Sequence, residues 1–407
     1  MADPSIVAFG RYLKIVRERR KLSLEDVAHL TKAYPEPVNK GYLSRVERGL
    51  NHVGFSKMVA LSRAYDTPLD ALGERYGLDL ESDRLRDAPE TASLPFGELL
   101  EKAVRFIRAG KRLHAFVSIR DALVKARTDP VVPNYADVSE QVAAAYLIHG
   151  VTVIALGRYR LGQVEVSAAV AMSALRAEFL PIVSHELSVI HRQLGDLAQA
   201  KHHAEAAIEA ALNSPKNKYL GDAYAIRARI AKDERSFDEA ITLYQSAIRA
   251  MKAAGRTEEC PRILLNVANT YFAAGRVSAS RRAIDAARKL ETETGTSAVS
   301  AHLDVLLGEI EAASGRPAAA SKHWHQAIEA AKDRNDRITQ FKAEFYLFRQ
   351  AVDAGNTTVL NALGRRLSRL APWIPPAESE VREFLDLYAR HRKPKQRGVA
   401  AQQLSRP

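Results

Sequence analysis

Between Asn39 and Gly49 the chain reads NKGYLSRVERG. Asn39 is a good N-cap for a helix over Lys40–Arg48, and Gly49 ends it as a C′ glycine would. Helical spacing turns Leu43 and Val46 inward and leaves Lys40, Gly41, Ser44 and Arg45 outward. Donors and cations on one helix face suit an anionic partner, as does a formal net charge of +12. A second short helix precedes this one in SLEDVAHL. Ser23 with Asp26 three residues on is a capping-box-like start. Leu24, Val27, Ala28 and Leu30 recur at helical spacing and predict one buried face. Pro35 and Pro37 stop that helix, because proline lacks an N–H and disfavours helix in the residue before it.

The other residue types able to do chemistry do not assemble into a pattern. His202 and His203, like His323 and His325, have no Cys or carboxylate at metal-ligand spacing. His202 and His203 are adjacent on a helix and are expected to point apart. Cys260 begins a helix before Pro261 with no histidine at helical spacing, so a packed thiol is expected. No glycine-rich phosphate loop occurs in a strand–turn–helix context. The expectation is therefore no catalytic residues, no metal, no cofactor and no enzyme. A single cysteine excludes an internal disulfide framework and fits a reducing cytosol. No apolar run is long enough to span a bilayer, and the N-terminus lacks a signal pattern. A cytoplasmic protein with no membrane partner is expected.

These residues need elements to position them, and the chain of 407 residues predicts two or more domains. A polar stretch with two prolines, residues 78–95, reads as a linker after a domain at 1–77. From Phe96 onward the pattern is helical with almost no strand signal. Turns recur at Gly195, Arg235, Gly275, Gly315 and Gly355, 40 residues apart each time. Ala200, Ala240, Ser280 and Ala320 share one small position, and Ala207, Ala247, Ala287 and Ala327 the next, seven on. Tyr244, Ile284 and Trp324 fill a larger place between. Small residues there let antiparallel helices approach while the large one fills the gap to the next pair. That is the logic of stacked helix pairs. Weaker repeats at Gly110 and Gly157 bring the total to about seven pairs over 96–374. A capping helix follows at 375–392. The segment 393–407 reads as a basic disordered tail. Six Lys or Arg and no acid fall within 390–407, about half the net charge.

GYLSRVERG resembles the recognition helix of the phage-repressor-type (XRE, Cro/cI-like) helix-turn-helix family. Residues 5–20 look like that family's first helix, and Ser56–Leu72 like its fourth and fifth. The turn departs from the family by an insertion at Ala33–Val38. The resemblance implies that the helix start enters the major groove, with Lys40, Gly41 and Arg45 at base edges. An arginine there favours guanine, since its fork matches O6 and N7. Asn39, Tyr42, Ser44 and Arg48 fall where phosphates are held. Arg17 and Glu47 match a buried pair that ties the first helix to the recognition helix. Double-stranded DNA is the implied partner, bound as an inverted-repeat operator by a homodimer.

The repeats resemble tetratricopeptide (TPR) repeats, with a glycine in the turn, an aromatic four before it (Tyr271, Phe106) and an alanine five after. Leu264–Lys289 is the nearest match. The resemblance places the first helix of each pair along a groove. Groove positions then include His185, Arg192, Asp222, Arg229, Arg262, Asn266, Asn269, His302, Glu309, Lys342 and Arg349. Such a groove could hold an extended peptide, with Asn269 on backbone amides and an arginine on a carboxylate. A Cro-like head on such a body is similar to the peptide-pheromone-sensing regulators of the Rap, Npr, Plc and Prg group. The expected fold is all-α: a five-helix lambda-repressor-like domain, then a TPR-like α-solenoid of about seven pairs. The expected function is a DNA-binding transcription regulator that senses a peptide or protein. The alternative is a TPR interaction scaffold tethered by a weak or degenerate head.

Overall fold

The computed structural model describes residues 4–85, 89–91, 93–128, 135–172, 175, 177–214, 218–297, 299–334, 336–371, 374 and 378–392, with no side chains for 127, 128, 135–139 and 392. The tail at 393–407 and the expected start of the capping helix at Pro375 lie outside the described residues. Among the described residues the fold is all-α, as expected, and no helix is long and apolar enough to cross a membrane. The first five helices are α1 (Pro4–Arg19), α2 (Leu24–Leu30), α3 (Lys40–Glu47), α4 (Phe55–Ala64) and α5 (Leu69–Ser82). Seven hairpins follow. They are α6 (Phe96–Arg108) with α7 (Arg112–Thr128), α8 (Tyr135–Ala155) with α9 (Tyr159–Val170), α10 (Leu180–Gln193) with α11 (Leu197–Leu212), α12 (Leu220–Asp233) with α13 (Phe237–Ala253), α14 (Cys260–Ala273) with α15 (Val277–Thr294), α16 (Ser300–Ala313) with α17 (Pro317–Asp333), and α18 (Arg337–Asp353) with α19 (Thr357–Leu370). A last helix, α20 (Ser379–Arg392), ends the described chain. The chain divides into two compact units, Met1–Ala207 and Ile208–Pro407.

In the first unit the five-helix head is not set apart by a linker. α5 runs through Leu78 and Asp79 to Ser82, all three buried, into the stretch expected to be a spacer. One apolar core contains Phe9, Leu13, Leu43, Leu72 and Leu78 of the head together with Phe116, Val153 and Leu161 of α7, α8 and α9. Residues that read as solvated polar linker are instead engaged. Asp79 accepts from Arg75 Nε (2.8 Å) and from Arg120 Nη1 (3.3 Å). Glu81 pairs with Arg158. Ahead of the expected linker, Glu74 of α5 accepts from the Leu161 N–H at 2.7 Å. At the centre sits Glu165 of α9, whose side chain is 1% exposed. It accepts from the Tyr12 hydroxyl at 3.1 Å and lies 3.5 Å from Arg19 and 3.3 Å from His149. Burial pushes this carboxyl up, but Arg19, then His149 and Arg75, hold it down at about 2.

The repeats follow the small–large–small pattern read from the sequence. Ala200, Ala240, Ser280 and Ala320 are fully buried, as are Ala207, Ala247, Ala287 and Ala327. In the second unit Tyr244, Ile284 and Trp324 fill the larger place. Trp324 lies so close to Gly308 that a Cβ there would sit 2.2 Å from its Nε1. The hairpin turns need a left-handed residue, which glycine adopts without a Cβ penalty. Gly275 and Gly315 have φ of 75° and 71°. Arg235 stands in the same register at φ 61°, exposed and with no glycine's freedom. Arg235→Gly is accordingly expected to stabilise the protein by about 0.5–1 kcal/mol, the left-handed penalty less glycine's entropy cost. The shift would be read as a higher urea midpoint.

Candidate nucleic-acid interface and repeat groove

α3 is built to hold its first turns in solvent. The Asn39 side chain accepts from the Tyr42 N–H at 2.8 Å, which caps the helix. Leu43 and Val46 anchor the buried face. Gly10 of α1 lets the two helices touch, since a Cβ there would lie 2.2 Å from the Val46 carbonyl oxygen. Arg17 of α1 then grips Glu47 bidentately, Nε to Oε1 at 2.6 Å and Nη2 to Oε2 at 2.9 Å. Its Nη1 donates to the Leu22 carbonyl at 2.8 Å. The pair expected from the family resemblance is therefore present. It fixes α3 against α1 by charge-assisted bonds.

With that anchor in place, Lys40, Gly41 and Arg45 are exposed. Arg45 has no side-chain hydrogen bond or ion pair among the described residues. The Lys40 ammonium lies 2.5 Å from Glu25 of α2, both well exposed. Three of the residues expected at phosphates do internal work. Asn39 is the cap, Tyr42 donates its hydroxyl to the His52 carbonyl at 2.8 Å, and Arg48 donates back to the Ser44 carbonyl at 3.1 Å. Ser44 is half-buried.

The capping box at Ser23 and Asp26 forms as expected. The buried face expected for α2 is narrower: Val27 is buried, whereas Leu30 is 47% exposed. α2 ends at Leu30, before the insertion, so that side chain has no further turn to pack under it. The insertion itself is closed by Thr31. Its hydroxyl donates to the Val27 carbonyl at 2.9 Å and accepts from the Val38 N–H at 3.1 Å. Glu36 at the tip pairs with Lys57 of α4 at 3.0 Å.

The expected groove residues carry more partners than their sequence positions suggested. In the first unit, Arg192 is half-buried on α10. In the second, Arg229 is half-buried on α12. Arg262 faces Asp222 at 3.4 Å and Glu259 at 3.7 Å. Lys342 faces Glu378 at 2.7 Å and Glu380 at 3.3 Å. Arg349 lies over the Tyr346 ring at 5.0 Å and 3.8 Å from Glu383. Asn266 is half-buried, and Asn269 donates to its own helix at the Leu265 carbonyl, 3.0 Å. His302 meets the Thr339 hydroxyl at 2.9 Å, and burial lowers its imidazole below the ordinary range. Glu309 is pushed up to about 7 by burial. The signal that could have found some of these pairs is the period itself: Asp222 and Arg262 are one repeat apart, so they sit side by side.

The histidine pair also differs from expectation. The His202 and His203 rings do not point apart; their centroids are 5.3 Å from each other, and His203 stacks on His191 at 5.2 Å. Burial and then the neighbouring His191 and His202 lower the His203 imidazole. Cys260 is buried, as expected. Among the described residues no cluster of His, Cys, Asp or Glu is arranged to hold a metal ion.

Residues 8–74 match the helix-turn-helix domain family. No curated protein matches the chain by sequence. Several solved structures share its fold. The Rap conjugation gene regulator of the plasmid pLS20, in complex with a Phr peptide, aligns over 91% of this chain and 96% of its own, at 13% identity and TM-score 0.53. Aspartyl phosphate phosphatase F from Bacillus subtilis aligns over 91% and 95%, at 10% identity and TM-score 0.53. A Rap protein complexed with competence and sporulation factor aligns over 72% and 91%, at 12% identity and TM-score 0.52.

Proposed function

We propose that the chain is a sequence-specific, DNA-binding transcription regulator whose TPR-like repeats dimerise and respond to a peptide or protein signal. The observation that carries this reading is α3. Its first turns present Lys40, Gly41 and Arg45 to solvent, while Arg17 and Glu47 fix its axis. A helix so presented suits the major groove, where an unpaired arginine fork can take guanine O6 and N7. One such helix makes few base contacts, so two copies on paired half-sites are needed for specificity. The likeness of fold to a regulator seen with a Phr peptide supports the repeats as the sensor. A ligand would act by binding one arrangement of the heads better than another. The protein is read as a binder rather than an enzyme, working in the cytoplasm without a cofactor.

The test is selection of bound sites from a random duplex library by the full-length protein at physiological salt, because nonspecific affinity varies steeply with salt. An enriched inverted repeat of fixed spacing is the expected result. Absence of enrichment both alone and with a peptide pool would favour the scaffold reading.

A further inference from the structure

In the second unit the surface between α15 and α17 opens into a crevice of about 630 Å³. Arg288 comes from α15, Asp304 from α16, and Ala319, Lys322, His323 and Gln326 from α17. The repeat register sets this place apart. Forty residues earlier, the positions of Arg288, Asp304 and His323 are held by Ile248, Leu264 and Ala283. Ala283 belongs to the apolar core there, and Ile248 and Leu264 pack against it. Forty residues later, the positions of Arg288 and His323 are held by Ile328 and Leu363, both buried, while those of Asp304 and Gln326 are held by Glu344 and Arg366, which pair with each other at 2.6 Å. Both neighbouring repeats thus fill the positions of Arg288 and His323 with apolar side chains, which stabilise more than a half-exposed ion pair does, and the later one closes its acid with an arginine from the position of Gln326. This repeat gives that packing up for a charged, open site.

The charges in it are unequal. Asp304 is the one acid, and its side chain is 16% exposed. Its carboxylate already accepts from Arg288 Nη2 at 2.7 Å and lies 3.4 Å from His323 Nδ1. It therefore acts to orient those two groups rather than to meet a ligand. Lys322 and Gln326, one turn apart on α17, are exposed and have no side-chain hydrogen bond or ion pair among the described residues. The ammonium of Lys322 and the remaining N–H groups of Arg288 are donors without an acceptor among the described residues. A pocket of several hundred cubic ångströms admits a small organic molecule as well as an inorganic ion.

We propose that this crevice binds the oxyanion group of a small molecule, a carboxylate or a phosphate, with Arg288 and Lys322 as charge partners and Gln326 as a further hydrogen-bond donor. Asp304 holds the Arg288 fork in place. The site belongs to the second unit and does not rest on the role proposed for α3.

The experiment is isothermal titration of the full-length protein with inorganic phosphate and, separately, with succinate, in about 0.15 M chloride to screen diffuse attraction. Saturable binding of one probe is expected, with Kd below about 1 mM. Lys322→Ala is expected to weaken it about ten-fold or more, as loss of one charge-assisted bond does. Lys322 is exposed and has no side-chain hydrogen bond or ion pair among the described residues, so the variant is expected to fold as the parent does. Saturation by phosphate alone would assign a phosphate ester, and saturation by succinate alone a carboxylate. Failure of both probes to saturate, or equal binding by Lys322→Ala, overturns the proposal.

Discussion

Arg45→Ala is expected to lower affinity for a selected duplex by about 10- to 100-fold while leaving affinity for a scrambled duplex almost unchanged. The range is the discrimination of one bidentate arginine–guanine pair, about 1–3 kcal/mol. Arg45 has no side-chain hydrogen bond or ion pair among the described residues, so its removal should move stability by no more than about 0.5 kcal/mol. Lys40 behaves differently. Its ammonium lies against Glu25, so Lys40→Ala removes a cation and bares a carboxylate towards the phosphates. The loss there should be similar for both duplexes, with a shallower salt dependence. The double variant should bind weakly and without preference. Competition between the two duplexes at fixed salt measures both effects. If the double variant kept the parent's preference, α3 would not be the reading element.

The largest expected loss of stability is at Glu165. Glu165→Ala leaves the Tyr12 hydroxyl buried without its acceptor and Arg19 without the carboxylate 3.5 Å away, and opens a void beside His149. Removing one side of a buried charge pair typically costs about 3–5 kcal/mol. Glu165→Gln keeps an oxygen for Tyr12 but not the charge, and should fall between. The pH dependence follows from the carboxyl's depressed value of about 2. An acid held below its unfolded value contributes stability that is complete above about pH 4.3 and is lost as pH falls towards 2. Urea unfolding at pH 7 and pH 3 should therefore show a smaller difference for Glu165→Ala than for the parent. An equal difference would place the acid sensitivity elsewhere.

The helical class and the period of the repeats were legible because each rests on a local pattern. The Asn39 cap, the glycines at 40-residue spacing and the alternating alanines all act within one turn or one hairpin. Arg17 and Glu47 were legible only through a family likeness, since 30 residues separate them. The junction of head and body was not legible. Asp79 reads as part of a polar linker, and Arg75, Arg120 and Glu165, scattered with it over about 90 positions, carry no signal of their own. Nothing in their spacing says that they meet in a buried cluster. Lys342 and Arg349 read as open groove cations for the same reason. Their carboxylate partners come from the last helix and the residue before it.

The shared core of the head with α7, α8 and α9 has a mechanical consequence. A head on a flexible tether can swivel, and two tethered heads tolerate a range of separations on a duplex. A head welded by Leu78, Asp79 and Glu165 has no swivel. Two such copies reading one duplex would form a caliper with fixed jaws. Inserting one base pair between half-sites turns one face by about 35° relative to the other, and no joint within this first unit could absorb it. Tolerance to spacer length would then have to lie outside the first unit.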